Sequence, residues 1–231
     1  MTGPLALVGS GEYLPVMQPL ERRLLEGRAP KYVQIPTAAA EEGQASLDRW
    51  VALGLAQGER LRVEAVPVMA RTRADADDPA LADLVRGAGL VYLSGGSPSY
   101  LAATLRGTRL WRAVCEEWEG GAALAGCSAG AMALTGSAPH VRDLAREPEQ
   151  GLGVLPSWHV LPHFDRIGDW EPGIVERYLA SLADDETLIG IDEETGLVRM
   201  TDTWEVQGRQ AVHVIRPDGQ RAYTDGASVP L

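Results

Sequence analysis

The chain alternates short apolar runs with longer stretches in which apolar residues recur every three or four positions. The short runs are 4–9 (PLALVG), 32–37 (YVQIPT), 61–68 (LRVEAVPV), 90–96 (LVYLSGG), 122–128 (AALAGCS) and 187–193 (TLIGIDE). Each is mostly apolar and stops at Gly, Pro or a polar residue, which predicts a strand. The longer stretches predict helices. Over 44–57, Leu47, Trp50, Val51 and Leu55 share one face. The stretch 78–87 opens with Asp78-Pro79, an N-cap followed by a proline at the first helical position. A helical pattern over 98–119 is divided at Gly107 and Thr108, and another over 172–183 starts at Pro172 and carries Ile174, Tyr178, Leu179 and Leu182. Repeated strand–helix–strand order predicts an α/β fold: a mainly parallel sheet flanked by helices. Near the C-terminus the pattern changes to GLVRM, WEVQG and HVIRPDGQRAYT, with Asp218-Gly219 offering a tight turn. Antiparallel strands are expected there, at one edge of the sheet. The stretch 69–79 is polar and reads as a solvated loop. With no linker, internal repeat or low-complexity tract, residues 1–231 read as a single domain.

Composition narrows the function classes. A chain of 231 residues can bury a sizeable core, and 45% hydrophobic with 23% charged residues is typical of a soluble globular protein. The net charge of −11 and a pI near 4.8 argue against a nucleic-acid partner, because phosphate neutralisation needs clustered Lys and Arg. There is no polybasic segment for an anionic membrane, and no apolar stretch approaches the roughly 20 residues of a membrane span. The N-terminal MTGPLALVGSGEY lacks a basic start and reads as a first strand rather than a leader. Only two cysteines occur, Cys115 and Cys127, so neither a disulfide scaffold nor a cysteine-rich metal site is expected, and the expected compartment is cytoplasmic.

The candidate chemistry sits at Gly126-Cys127-Ser128-Ala129-Gly130, a G-x-S-x-G pattern between an apolar strand and a stretch able to begin a helix. Glycines on either side of such a strand-to-helix turn let it close tightly and lift the central side chain above the sheet edge. Ser128 holds the central position and is the candidate nucleophile; Cys127 precedes it and reads as a small buried residue facing the other way. The pattern alone is common, and its placement at a strand end is what gives it weight. A second glycine turn, Gly95-Gly96-Ser97-Pro98, follows another apolar strand and would lie at the same carboxyl edge of a parallel sheet. Gly96 and Ala129 are therefore candidate backbone donors to an oxyanion. Of the four histidines, His213 falls in a C-terminal strand and reads as structural, and His140 lies in a loop. His159 and His163 share SWHVLPHFDR; Pro162 opposes a helix there and no H-E-x-x-H glutamate is present, so no metal site is expected. His163 is the candidate general base, because it follows an apolar segment and leads into a polar loop.

Four segments in this order, LSGGSPSYLAATLRGTRLW, GCSAGAMAL, GLGVLPSWHVLPHFDR and LIGIDEETGLV, resemble the serine peptidases of the dipeptidase E and cyanophycinase family. The likeness spans about residues 5–216 and rests on the ordered combination. It implies a flavodoxin-like fold similar to that of class I glutamine amidotransferases, with serine in place of the amidotransferase cysteine. Position by position, Ser128 falls on the family serine, His163 on the histidine of the PHF or QHF segment, and Gly96 on the oxyanion glycine. Ser97 stands where the family has Asn or Asp and is carried as a substrate-binding candidate. The resemblance favours Glu193 as the triad acid. Asp192 and Asp143 remain open, since neighbouring strand residues face opposite sides and only one of Asp192 and Glu193 can meet His163.

The resemblance implies a peptidase acting on a small peptide substrate through an acyl-enzyme, without metal or cofactor. Dipeptidase E enzymes prefer an N-terminal aspartate, which needs a cation near the serine; Arg166 and Arg177 are candidates, Arg177 reading first as a surface ion pair. Trp158 and Trp170 flank the same segment as candidate pocket walls. The run of arginines that follows QHF in cyanophycinases is not reproduced in HFDRIGDWEPG. The alternatives are a cyanophycinase-like exopeptidase, a catalytically silent binding protein on the same fold, and a glutaminase-like amide hydrolase. The assembly expected is a monomer or homodimer.

Overall fold

In the computed structural model, which describes residues 2–231, every run read as a strand forms one. The strands are β1 (Leu5–Val8), β2 (Lys31–Ile35), β3 (Glu64–Pro67), β4 (Leu90–Leu93), β5 (Ala123–Cys127), a short pair β6 (Ser137–Ala138) and β7 (Glu149–Gln150), β8 (Trp158–Pro162), β9 (Thr187–Ile191), β10 (Thr195–Arg199), β11 (Trp204–Gly208), β12 (Ala211–Arg216), β13 (Gly219–Thr224) and β14 (Ser228–Val229). The helices are α1 (Gln18–Leu25), α2 (Gln44–Leu61), α3 (Arg73–Ala76), α4 (Pro79–Asp83), α5 (Pro98–Leu105), α6 (Arg109–Glu119), α7 (Ala129–Ala133), α8 (Phe164–Trp170) and α9 (Ile174–Ser181).

The large sheet runs β14-β11-β10-β1-β5-β4-β2-β3, with β1, β5, β4, β2 and β3 parallel and β10, β11 and β14 antiparallel at one edge. The inner parallel strands β1, β4 and β5 are buried at every position because both faces are covered, whereas the edge strand β3 is half-buried or exposed. Alternation divides them: Leu5, Leu7, Val33, Leu93 and Leu124 join a core with Leu101, Leu105 and Val114 of α5 and α6. Ala6, Val8, Tyr32, Tyr92 and Cys127 face Leu20 and Leu24 of α1 and Leu61 of α2. The period-two switch of faces is what strand geometry requires.

The expected break at residues 107–108 is present: Gly107 has φ +74°, and the Thr108 hydroxyl caps α6 by accepting from Trp111 N–H. Asp78 caps α4 through Ala80 N–H at 2.8 Å. The start of the run 61–68 belongs instead to α2, which continues to Leu61 and ends at Arg62 in the left-handed region. The polar stretch 69–79 contains α3, closed by a capping box between Thr72 and Asp75.

The C-terminal half divides in a way the hydropathy pattern did not indicate. β9 leaves the main sheet and joins a second one, β13-β12-β9-β8, parallel to β8 and antiparallel to β12. Val160, Ile189, Ile191, Val212 and Val214 of this sheet belong to the same apolar cluster as the large sheet's inner face. Its other face, with Leu161, Leu188 and Ile215, is covered by Ile174 at the start of α9. β8 was not separable from the loop around it in the sequence, because its outer residues Trp158 and His159 are only partly buried.

Candidate active site

The elbow after β5 closes by backbone contact. A Cβ on Gly126 would stand 2.5 Å from the Gly130 carbonyl, and one on Gly130 would stand 2.2 Å from the Leu93 oxygen of β4, so a side chain at either position would pry α7 away from the sheet. Between them Ser128 adopts φ 50°, ψ −111°, a conformation rarely open to a residue with a side chain. Its N–H donates to Val8 C=O at 2.9 Å and its C=O accepts from Met132 N–H at 3.1 Å. The hydroxyl is thus held at the carboxyl end of the parallel strands, where open α/β sheets present their ligand crevices.

Leu93 of β4 pairs with Gly126 of β5, so the turns that follow the two strands are neighbours. A Cβ on Gly95 would lie 3.6 Å from Ser128 Cβ. Gly96 has φ +135°, and its Cα packs against Ala38 C=O, where a Cβ would come within 2.3 Å. Among the described residues no acceptor takes the Gly96 N–H. Ala129 is the first residue of α7, whose leading N–H groups have no intrahelical partner. Both candidate oxyanion donors line one cavity wall with Ser128, and among the described residues neither amide has an acceptor.

The partners of Ser128 come from the second sheet. β8 and β9 run parallel with Pro162 opposite Ile191, so the residues leaving the two strands emerge side by side. His163 turns out of β8 at φ 50°, ψ 39°, with Nε2 3.1 Å from Ser128 Oγ and Nδ1 2.9 Å from Glu193 Oε1. The carboxylate only accepts, which keeps the proton on Nδ1 and leaves Nε2 to accept the serine O–H. Glu193 is itself fixed: its N–H donates to Asp165 Oδ1 at 2.8 Å, and its C=O accepts from Thr195 Oγ1 and Gln210 Nε2 at 3.1 Å each.

Asp192, carried as an alternative acid, points the other way. It is buried, and its two carboxylate oxygens accept from His213 Nε2 and from Ala211 N–H, each at 3.1 Å. Alternation along the chain leaving β9 sends the two acids to opposite sides, and His213 meets Asp192 and Gln220. Asp143 lies in the wall of a different cavity. Arg166 is exposed on α8 and lines neither cavity described below. Arg177 pairs with Glu171 at 2.6 Å. Trp158 packs on Trp204 with ring centroids 5.0 Å apart and does not line the cavity on Ser128, whereas Trp170 lies 5.4 Å from the His163 ring. His159 turns toward Ser137 and Glu186, 3.2 Å from the latter, and does not share a site with His163.

One participant escaped the sequence reading. Glu12, in the glycine-containing turn after β1, is 9% exposed and lies beneath the elbow. Its Oε1 accepts from Gly95 N–H at 2.9 Å, and its Oε2 accepts from Cys127 S–H at 2.8 Å. Burial, with Glu12 alongside, pushes the Cys127 thiol well above its ordinary value, so this sulfur stays protonated. The only local sign of Glu12 was one acid in the run GSGEY at a strand end.

Two cavities meet at Gly96 and Val141. One, of about 330 Å³, opens on Ser128 and His163 and is walled by Met132, Leu144, Ile167, Trp170, Ile174 and Tyr178. The other, of about 480 Å³, is polar and charged, with Ser97, Arg142, Asp143 and Arg146 in its wall. Ser97 also caps α5, accepting from Tyr100 N–H at 3.3 Å. Among the described residues no group of three or more His, Cys, Asp and Glu is placed to hold a metal ion, and no helix is long and apolar enough to cross a membrane.

Comparison with known proteins bears on this geometry. The chain is similar to the cyanophycinases of Synechococcus elongatus and Thermosynechococcus vestitus, each 34% identical over 175 residues. These matches cover 69% of this chain and 51% of each relative, so the chain spans about half the length of the curated relatives it matches. A crystal structure of a peptidase from an acI-B1 Actinobacterium superposes with a TM-score of 0.93 at 41% identity, covering 100% of this chain and 98% of that one. A peptidase E candidate from Listeria monocytogenes EGD-e shares the fold, with a TM-score of 0.64 at 17% identity over 91% of this chain and all of that one. The profile described as Peptidase family S51 matches residues 5–206, a span that contains Ser128, His163 and Glu193, and the chain belongs to that family.

Proposed function

We propose that this protein is a serine peptidase that hydrolyses small peptides through an acyl-enzyme. In this reading His163 Nε2 takes the Ser128 proton as Oγ attacks the scissile carbonyl. The Gly96 and Ala129 N–H groups receive the oxyanion, and His163 then passes its proton to the leaving amine. Water, deprotonated by the same imidazole, releases the acid product. Glu193 holds the ring in the required tautomer and stabilises its cation. The observation that carries the proposal is the unbroken line from Ser128 Oγ through His163 to Glu193 Oε1, with steps of 3.1 and 2.9 Å.

A fluorophosphonate probe tests the reading directly. Mass mapping is expected to find the label on Ser128 in the native protein and to find none in Ser128→Ala. A panel of dipeptides and tripeptides, with cyanophycin and glutamine as further arms, then reports the substrate. Absence of label on Ser128 together with no hydrolysis of any arm would leave a silent binding protein as the better description.

A further inference from the structure

We infer that the subsite beside Ser128 takes a large apolar side chain, such as leucine, methionine or phenylalanine, from a residue flanking the scissile bond. The inference rests on the peptidase reading and names its substrate class. The wall of the 330 Å³ cavity is mostly aliphatic and aromatic, with Glu171 its one carboxylate besides the reacting groups, and no arginine or lysine lines it among the described residues. Its titratable members besides His163 are Glu171 and Tyr178. Glu171 already holds Arg177 at 2.6 Å, and burial pushes the Tyr178 hydroxyl up to about 12, so it stays neutral. Arg166, the residue best placed in the sequence to meet an acidic substrate, projects from α8 outside this cavity.

An aspartyl side chain here would lose its water without gaining a cation, and a buried unpaired carboxylate is strongly disfavoured. An arginyl side chain would meet only Glu171, already paired. An apolar side chain instead exchanges water for Leu144, Ile167, Ile174 and the ring of Trp170, which is 58% exposed in the free protein and stands at the cavity mouth. The charged cavity begins beyond Val141; its arginines, Arg142 at 3.3 Å from Glu42 and Arg146 at 3.8 Å from Glu149, line that cavity and not the apolar one.

Binding to the Ser128→Ala protein separates this inference from the chemistry. Calorimetry with short peptides differing only in Leu, Phe, Asp or Arg at each position is expected to show the Leu and Phe peptides binding at least about tenfold more tightly than the Asp peptide. Equal or tighter binding of the Asp or Arg peptide, or no binding by any, would overturn it. Failure of wild-type hydrolysis with the apolar preference intact would sink the peptidase reading alone. A second variant, Val141→Arg, places a cation at the border of the two cavities on a residue already 45% exposed. It is expected to raise affinity for the Asp peptide several-fold and to lower it for the Leu peptide; no change in either would also count against the assignment.

Discussion

His163 Nε2 reaches Ser128 Oγ across 3.1 Å, and both residues sit at φ 50°. Neither conformation is the one a serine or histidine adopts freely, and such outliers cost on the order of 1–3 kcal/mol each. They persist because each lies at the end of a buried strand whose register is set by others. Gly126 and Gly130 admit the elbow, and the pairing of β8 with β9 aims the histidine.

Replacing the hydroxyl is therefore expected to remove the chemistry and little else. Ser128→Ala should lower kcat by roughly 10⁴-fold or more with a native melting profile. Cys127→Ala should behave oppositely. It keeps activity but leaves Glu12 Oε2 without its S–H donor, costing about 1–3 kcal/mol of stability. Loss of activity in the cysteine variant alone, measured on the same peptide, would reverse the choice of nucleophile.

The two neighbouring acids should separate cleanly. Glu193→Gln keeps shape but no longer demands the proton on Nδ1, and a loss in kcat of about 10²–10⁴-fold is expected with little change in KM. Asp192→Asn touches His213 and Ala211 rather than His163, so its effect should appear in the denaturation midpoint. Steady-state kinetics and urea melts on both variants check this. A larger kcat loss in the Asn variant would transfer the role.

A single methyl group tests the elbow. Gly130→Ala would bring a Cβ to 2.2 Å from Leu93 C=O, a backbone atom that cannot swing aside. The expected result is a loss of at least about 1–3 kcal/mol of stability, with reduced probe labelling of Ser128 in whatever fraction folds. Wild-type labelling and melting temperature in Gly130→Ala would show that the turn is not closed as described.

Stability should fall as pH rises from mildly acid to mildly alkaline, because of a buried carboxyl on α1. Burial pushes Glu21 from an ordinary 4.5 up to about 8, partly opposed by the amide of Gln57, which donates to Oε2 at 2.5 Å. The folded protein keeps this proton where the unfolded chain releases it. The contribution is complete below pH 4.5 and is lost as pH climbs through about 8. Between those values one proton corresponds to about 1.4 kcal/mol per pH unit. Glu21→Gln should flatten that slope; parallel pH profiles of unfolding free energy for the two proteins would contradict it.

Much of this site was legible in the linear chain, for local reasons. The apolar runs, the capped break at Thr108 and the glycines around Ser128 are encoded by residues near one another in sequence. Strand burial, capping and tight turns act over a few positions. His163 was legible from the segments its family resemblance rests on. The choice between Glu193 and Asp192 depended on which side of the chain beyond β9 faces β8, and no local pattern states that. The departure of β9 into a second sheet, the isolation of Arg166 and the approach of Glu12 beneath Cys127 are long-range results. The sequence by itself determined the elements and the turn that carries Ser128, because those follow from periodicity and steric size. Only the tertiary structure decided which acid lies beside His163, which cavity opens on Ser128 and which buried groups pack beneath it, because strand register and shared burial are settled between segments far apart along the chain.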